Sequence, residues 1–105
     1  MSMIIQFVFR PLPGADLPTV IEMAKAGAKL WKKHGANDVS LWAVSVGETG
    51  NMAVTVPFEN YADYGKCYDA MLADPDFRTW QAGLSKAGMS EWVRGNIARK
   101  IAIEL

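Results

Sequence analysis

Surplus charge of one sign, cysteine, histidine and long apolar runs are all scarce in this chain, and each shortage removes a class of function. Eleven Lys and Arg balance eleven Asp and Glu, so no basic excess exists to displace counterions from nucleic acid or to hold an anionic membrane. No apolar stretch approaches the roughly 18 residues needed to cross a bilayer. The start, Met1 to Arg10, lacks the basic and long apolar regions of a secretory signal. Neither nucleic acid nor membrane is therefore expected as a partner. Cys67 is the only cysteine and His34 the only histidine, so no internal disulfide can form and no metal-ligating set is recognisable. With no disulfide and no signal, a cytoplasmic location is expected. What is present is apolar: 50% of the residues are hydrophobic and 10% aromatic, which is too rich for a disordered chain. At 105 residues the expectation is a single domain over 1–105.

Met3 to Arg10 is β-branched and aromatic and runs into Pro11-Leu12-Pro13-Gly14, the pattern of a strand and turn. Asp16 stands at an N-cap position before Leu17, Pro18 and Thr19, with proline early enough for a helix to tolerate. Leu17, Val20, Ile21, Ala24, Ala28 and Trp31 then recur at steps of three and four, predicting a helix that ends at His34-Gly35. Asp38–Val46 and Asn51–Val56 read as two strands joined by the Gly47–Gly50 turn. Glu59–Ala73 returns to helical spacing with a stripe of Tyr61, Tyr64, Tyr68, Met71 and Leu72, stopped by Asp74-Pro75. Phe77, Trp80 and Leu84 suggest a further short helix before Gly88. Trp92–Leu105 reads mostly as a strand, with Ile97, Ile101, Ile103 and Leu105 on one parity and Ala98, Lys100, Ala102 and Glu104 on the other.

The order β-α-β-β-α-β, with an extra helical segment before the last strand, predicts an α+β, ferredoxin-like fold with a four-stranded antiparallel sheet. Right-handed crossovers put both main helices on one side of that sheet. Met3, Ile5, Phe7, Phe9, Leu41, Met52, Val54, Val56, Ile101 and Ile103 suit the helix side. Ile4, Gln6, Val8, Ser40, Trp42, Val44, Ala53, Thr55, Ala98, Lys100 and Ala102 form the other side, mixed yet too apolar to face water. Two copies packed sheet to sheet would bury it.

The strand Trp42–Val46, the turn Gly47–Asn51, the strand end Val56-Pro57-Phe58, the helix opening Tyr61-Ala62-Asp63-Tyr64 and the run from Leu72 through Asp74-Pro75-Asp76-Phe77 to Trp80 carry a resemblance. Together they resemble the dimeric α-β barrel superfamily, in which two ferredoxin-like subunits pack their sheets face to face. The similarity is to its NIPSNAP-like and antibiotic-biosynthesis-monooxygenase-like branches. The resemblance implies a homodimer without a cofactor. It leaves three functions open: binding of a small molecule, cofactor-free monooxygenation of an apolar or aromatic small molecule, and a non-catalytic structural or interaction dimer. Haem-degrading relatives resemble one another in a histidine on the second helix and an asparagine on the first strand. Here that helix has no histidine and the strand offers Gln6, which argues against haem chemistry.

The candidate ligand-binding residues are Gln6, Trp42, Thr55 and Lys100, which interrupt an otherwise apolar sheet face, with Tyr64 and Trp80 extending an aromatic wall. Polar groups in an apolar wall are how small-molecule pockets fix orientation. The same polar atoms could instead bond across a dimer or reach its rim, Lys100 by extending its stem to water. Catalytic residues are unassigned. His34 sits where a helix end suits an imidazolium and Gly35 supplies the cap, so it is expected to be dispensable for any activity. Cys67 has the setting of an inert thiol.

Overall fold

The computed structural model describes residues 2–104. Strand β1 (Met3–Pro11) leads to helix α1 (Leu17–Lys33), the strands β2 (Ser40–Ala43) and β3 (Met52–Phe58), helices α2 (Tyr61–Leu72) and α3 (Pro75–Ala87), and strand β4 (Ser90–Arg99). The sheet is antiparallel in the order β2-β3-β1-β4, which is the expected ferredoxin-like arrangement with one added helix.

Local chemistry sets the helix ends. The Asn60 side chain accepts the Asp63 N–H at 2.8 Å to open α2, and Asp74 accepts that of Asp76 at 2.9 Å to open α3, each satisfying a donor left over by the first turn. Gly88 closes α3 in the left-handed region, φ 60°, a conformation glycine adopts without a Cβ penalty. Asp16 occupies the N-cap of α1 as expected, yet its carboxylate takes the Thr19 hydroxyl in place of a backbone N–H.

Register divides the sheet into two faces. Ile5 pairs with Val56 and Ile97, and Phe7 with Val54 and Gly95, so these positions share the helix side. There Met3, Ile5, Val56 and Phe58 are buried with Leu30, Trp31, Cys67, Met71 and Phe77. The opposite face carries Ile4, Gln6 and Val8 of β1, Ala53 and Thr55 of β3, Ser40 and Trp42 of β2, and Asn96 and Ala98 of β4. Val8 and Ala53 are buried even so, because Trp42 and Arg94 flank them in the same row.

Three expectations need correction. The last strand stops at Arg99, whose partner Met3 is the first residue of β1; with no ladder beyond it, the chain leaves the sheet after the Lys100 N–H donates to the Ser2 carbonyl at 2.6 Å. Ile101 and Ile103 are therefore 76% and 70% exposed and do not meet the helices, and Lys100 and Ala102 do not belong to the opposite face. Leu105, placed in the same strand by its parity, lies outside the described residues. Strand β2 is shorter than Asp38–Val46, since the turn closes early with a Gly50 N–H bond to the Val44 carbonyl. Helix α1 buries Val20, Gly27, Leu30 and Trp31, while Leu17 and Ile21 are exposed.

The inward turn of Gly27 has a cause. Trp80 donates its indole N–H to the Met23 carbonyl at 2.9 Å and lies across Gly27, where an added Cβ would sit 2.5 Å from the ring. Gly27→Ala should therefore destabilise the fold by about 1–3 kcal/mol through overpacking. In a Trp80→Ala background the same change should instead stabilise by about 1 kcal/mol, the usual helix preference for alanine over glycine. Chemical denaturation of the four-member cycle reads the change of sign.

A charged node ties α1 to α3. Asp74 Oδ2 accepts the Lys33 ammonium at 2.8 Å and pairs with His34 Nε2 at 2.7 Å, while Lys33 also reaches Asp76 at 3.3 Å. The Lys33 bond, then those from His34 and the Asp76 N–H, hold the Asp74 carboxyl well below the ordinary carboxylate range. A carboxyl whose folded pKa is depressed stabilises above its unfolded pKa, about 4, and loses that contribution as pH falls through the lower folded value. Asp74→Asn keeps a capping side chain but no charge. Its melting temperature should fall below wild type at pH 7, and the gap should narrow as the pH is lowered toward 3.

Candidate functional site

Between the helix side of the sheet and helices α1 and α3 lies a cavity of about 460 Å³. Phe7, Phe9 and Val54 come from the sheet, Met23, Gly27 and Trp31 from α1, Tyr68 from α2, and Phe77, Trp80 and Leu84 from α3, with Trp92 on β4 completing it. The alternation of β1 and β3 aims the first group inward; the helical spacing of three and four aims the others. Phe7 lies 5.7 Å from both Trp31 and Trp92, and Phe77 stacks on Trp80 at 5.9 Å, packing within the usual range for aromatic pairs. Gln81, Ser85, Ser90 and Glu91 are its other polar contributors. Glu91 is held by Arg10 at 2.8 Å, so the cavity offers a free molecule an apolar wall and little net charge.

A second hollow, about 390 Å³, is bordered by His34, Asp38, Glu59, Asp63, Lys66 and Cys67. Burial pushes the Cys67 thiol up, opposed in part by the Ala36 backbone, and its sulfur lies 3.7 Å from the Trp31 carbonyl, so the thiolate needed for nucleophilic chemistry is disfavoured. His34 is the C-cap of α1 and is bonded to Asp74. The charge partner across the fold is the part of its setting that local sequence does not reveal. Among the described residues, no three His, Cys, Asp or Glu side chains are grouped to hold a metal ion.

The six candidate residues are not brought together. Trp42 donates its indole N–H to Thr55 Oγ1 at 2.7 Å, and Gln6 pairs with Thr55 across the ladder, so these three share the sheet face away from the helices. Lys100 is exposed beyond the end of β4. Tyr64 stacks on Tyr68 at 5.8 Å and meets Phe58 edge-on at 5.8 Å, beside the core. Trp80 alone of the six lines the larger cavity. The reading of the sequence missed Phe7, Phe9, Trp31, Phe77 and Trp92 as wall residues because it weighed polar interruptions of one face over the aromatic density of the other. The odd-numbered positions of β1 carried that signal.

Comparison with known proteins bears on the same architecture. The model of the NIPSNAP family matches residues 7–100. An uncharacterised NIPSNAP domain protein from Burkholderia xenovorans superposes with a TM-score of 0.72 at 11% identity, covering 96% of this chain and 94% of its own. A NIPSNAP family protein of unknown function from Agrobacterium tumefaciens gives 0.72 at 14% identity, over 98% of this chain and 91% of its own. A dimeric ferredoxin-like protein from an uncultured marine organism gives 0.60 at 16% identity over 100% of both chains. No curated protein matches significantly. At these identities the solved structures speak to fold, whereas the family match spans nearly the whole sequence: the chain belongs to the NIPSNAP family.

Proposed function

We propose that this protein binds a small, largely apolar molecule in the cavity between the sheet and helices α1 and α3, and that it does so as a homodimer. The observation that carries the binding reading is the cavity itself: about 460 Å³ falls within the usual size of ligand sites, roughly 300–1,000 Å³, and its aromatic lining is typical of them. Transfer of an apolar molecule from water into such a chamber is favoured by roughly 25 cal/mol for each Å² of apolar surface removed. The dimer reading draws on the sheet face opposite the helices. Trp42 is 57% exposed there, next to the polar row Ser40, Thr55, Gln6 and Asn96, with Ile4 and Ala98 beyond that row, and a second copy offers the same surface in return. In this arrangement Gln6, Trp42 and Thr55 serve the contact between subunits and the cavity serves the ligand.

N-phenyl-1-naphthylamine, a neutral apolar dye that brightens out of water, should bind the wild-type protein with a saturable signal. Ala28 of α1 also borders the cavity, so Ala28→Phe, which puts a ring into it, should weaken that binding at least tenfold, a loss of about 1.4 kcal/mol. Equal binding by the variant would place the dye elsewhere. Separately, sedimentation at micromolar concentration should give twice the chain mass. Trp42→Glu should shift the population to monomer, because the interface would have to desolvate a carboxylate with no partner; a wild-type monomer would overturn the dimer.

A further inference from the structure

Trp92 is an unusual member of the cavity wall. It is 63% exposed, and among the described residues its indole N–H has no acceptor, whereas Trp80 is tethered to Met23. Its position depends on an irregularity: the register between β1 and β4 shifts between Val8, which pairs with Arg94, and Phe9, which pairs with Trp92, so Val93 is the extra residue of a bulge. Without the bulge, Phe9 would pair with Val93 and Trp92 would stand opposite Arg10, on the face away from the helices. Bulges of this kind re-aim side chains. The re-aimed ring needs room, and Gly95 provides it: a Cβ there would lie 2.9 Å from the Trp92 ring. Gly95 has no positive φ, so the backbone does not call for glycine at that position. A bulge and a glycine together thus seat one solvent-exposed indole beside Phe7 at the edge of an apolar cavity.

From this geometry we infer that Trp92 is the ligand-stacking and specificity-determining side chain of the cavity, and that the molecule it selects is an uncharged planar aromatic one. The inference rests on the cavity being the binding site. Aromatic rings from both layers border the space: Phe7 and Trp92 from the sheet, Trp31 of α1 in contact with Phe7, and Phe77 stacked with Trp80 on α3. Phe7 is tilted by 33° to Trp31 and by 51° to Trp92; a flat ring system lying among them forms stacked or edge-on aromatic pairs, which gain attraction beyond their buried area. An aliphatic molecule of equal volume forgoes that gain. A charged one must leave water for a wall whose Glu91 is already paired with Arg10, with no counter-charge to replace its hydration.

The test compares competitors for N-phenyl-1-naphthylamine on the full-length wild type and on Trp92→Leu, which keeps apolar bulk and removes the ring. For the wild type, 2-naphthol should displace the dye at a concentration about tenfold lower than 1-octanol does, and 2-naphthalenesulfonate should compete poorly. In Trp92→Leu the advantage of 2-naphthol over octanol should shrink to about twofold, with the melting temperature little changed because the ring is mostly exposed. Gly95→Ala should reduce the advantage in the same way in wild type and have no effect in the Trp92→Leu background. If the dye binds and Ala28→Phe weakens it while Trp92→Leu leaves the competitor ratio unchanged, the cavity stands and the role of Trp92 is overturned. If the dye does not bind the wild type, or Ala28→Phe leaves binding intact, the cavity reading falls and this inference falls with it.

Discussion

Strand β1 bonds to β3 along one edge and to β4 along the other, and the two-residue alternation of this central strand is the constraint on which the rest of the molecule depends. A shift of one residue would send Ile5 and Phe7 to the face away from the helices and bring Ile4, Gln6 and Val8 beneath α1 and α2. The buried cluster of Met3, Ile5, Val56 and Phe58 under Leu30, Trp31, Cys67 and Met71 exists only in the observed register. So does the cavity, because Phe7 and Phe9 belong to the same parity. The length of β1 sets a second limit: its first residue, Met3, fixes where β4 must stop.

Strong, repeated signals of this kind were legible in the sequence. The order of elements, the side of the sheet taken by Ile5, Val54 and Val56, the helix end at His34 and the glycine after α3 all follow from patterns contained within ten or twenty residues. What was not legible depended on pairings distant in sequence. That Arg99 is the last residue of β4 is decided by Met3. That α1 turns Gly27 inward goes with Trp80, 53 positions later, whose indole lies across it. Asp74-Pro75 reads locally as the stop of one helix; that Asp74 also bonds to Lys33 and His34, at the far end of a different helix, is not visible there.

The candidate site shows the same division more sharply. Gln6, Trp42 and Thr55 were correctly grouped on one face, since parity is a local property, and Trp42 does bond to Thr55. Lys100 was joined to them by extending the parity of β4 past the point where its partner ends, and Tyr64 and Trp80 by aromatic character alone. Trp92 could not be found by parity at all. Counting back from Ile97 by twos gives Gly95 and Val93 on the helix side, and the extra residue at the bulge is what gives Trp92 the place of Val93.

Gly27 and Gly95 show how the cavity is shaped by what is left out. Each lies in a regular element, one in α1 and one in β4, where glycine weakens local structure by about 0.5–1 kcal/mol relative to alanine, and neither adopts a positive φ that would require it. In both places the missing Cβ admits the indole of a tryptophan that lines the cavity. The two indoles differ in their restraint: Trp80 is fixed by a hydrogen bond and by stacking on Phe77, Trp92 by its contact with Phe7 and its seat on Gly95. A stability cost is thus carried at two glycines that the backbone does not call for, and both vacated spaces are filled by indoles bordering the same cavity.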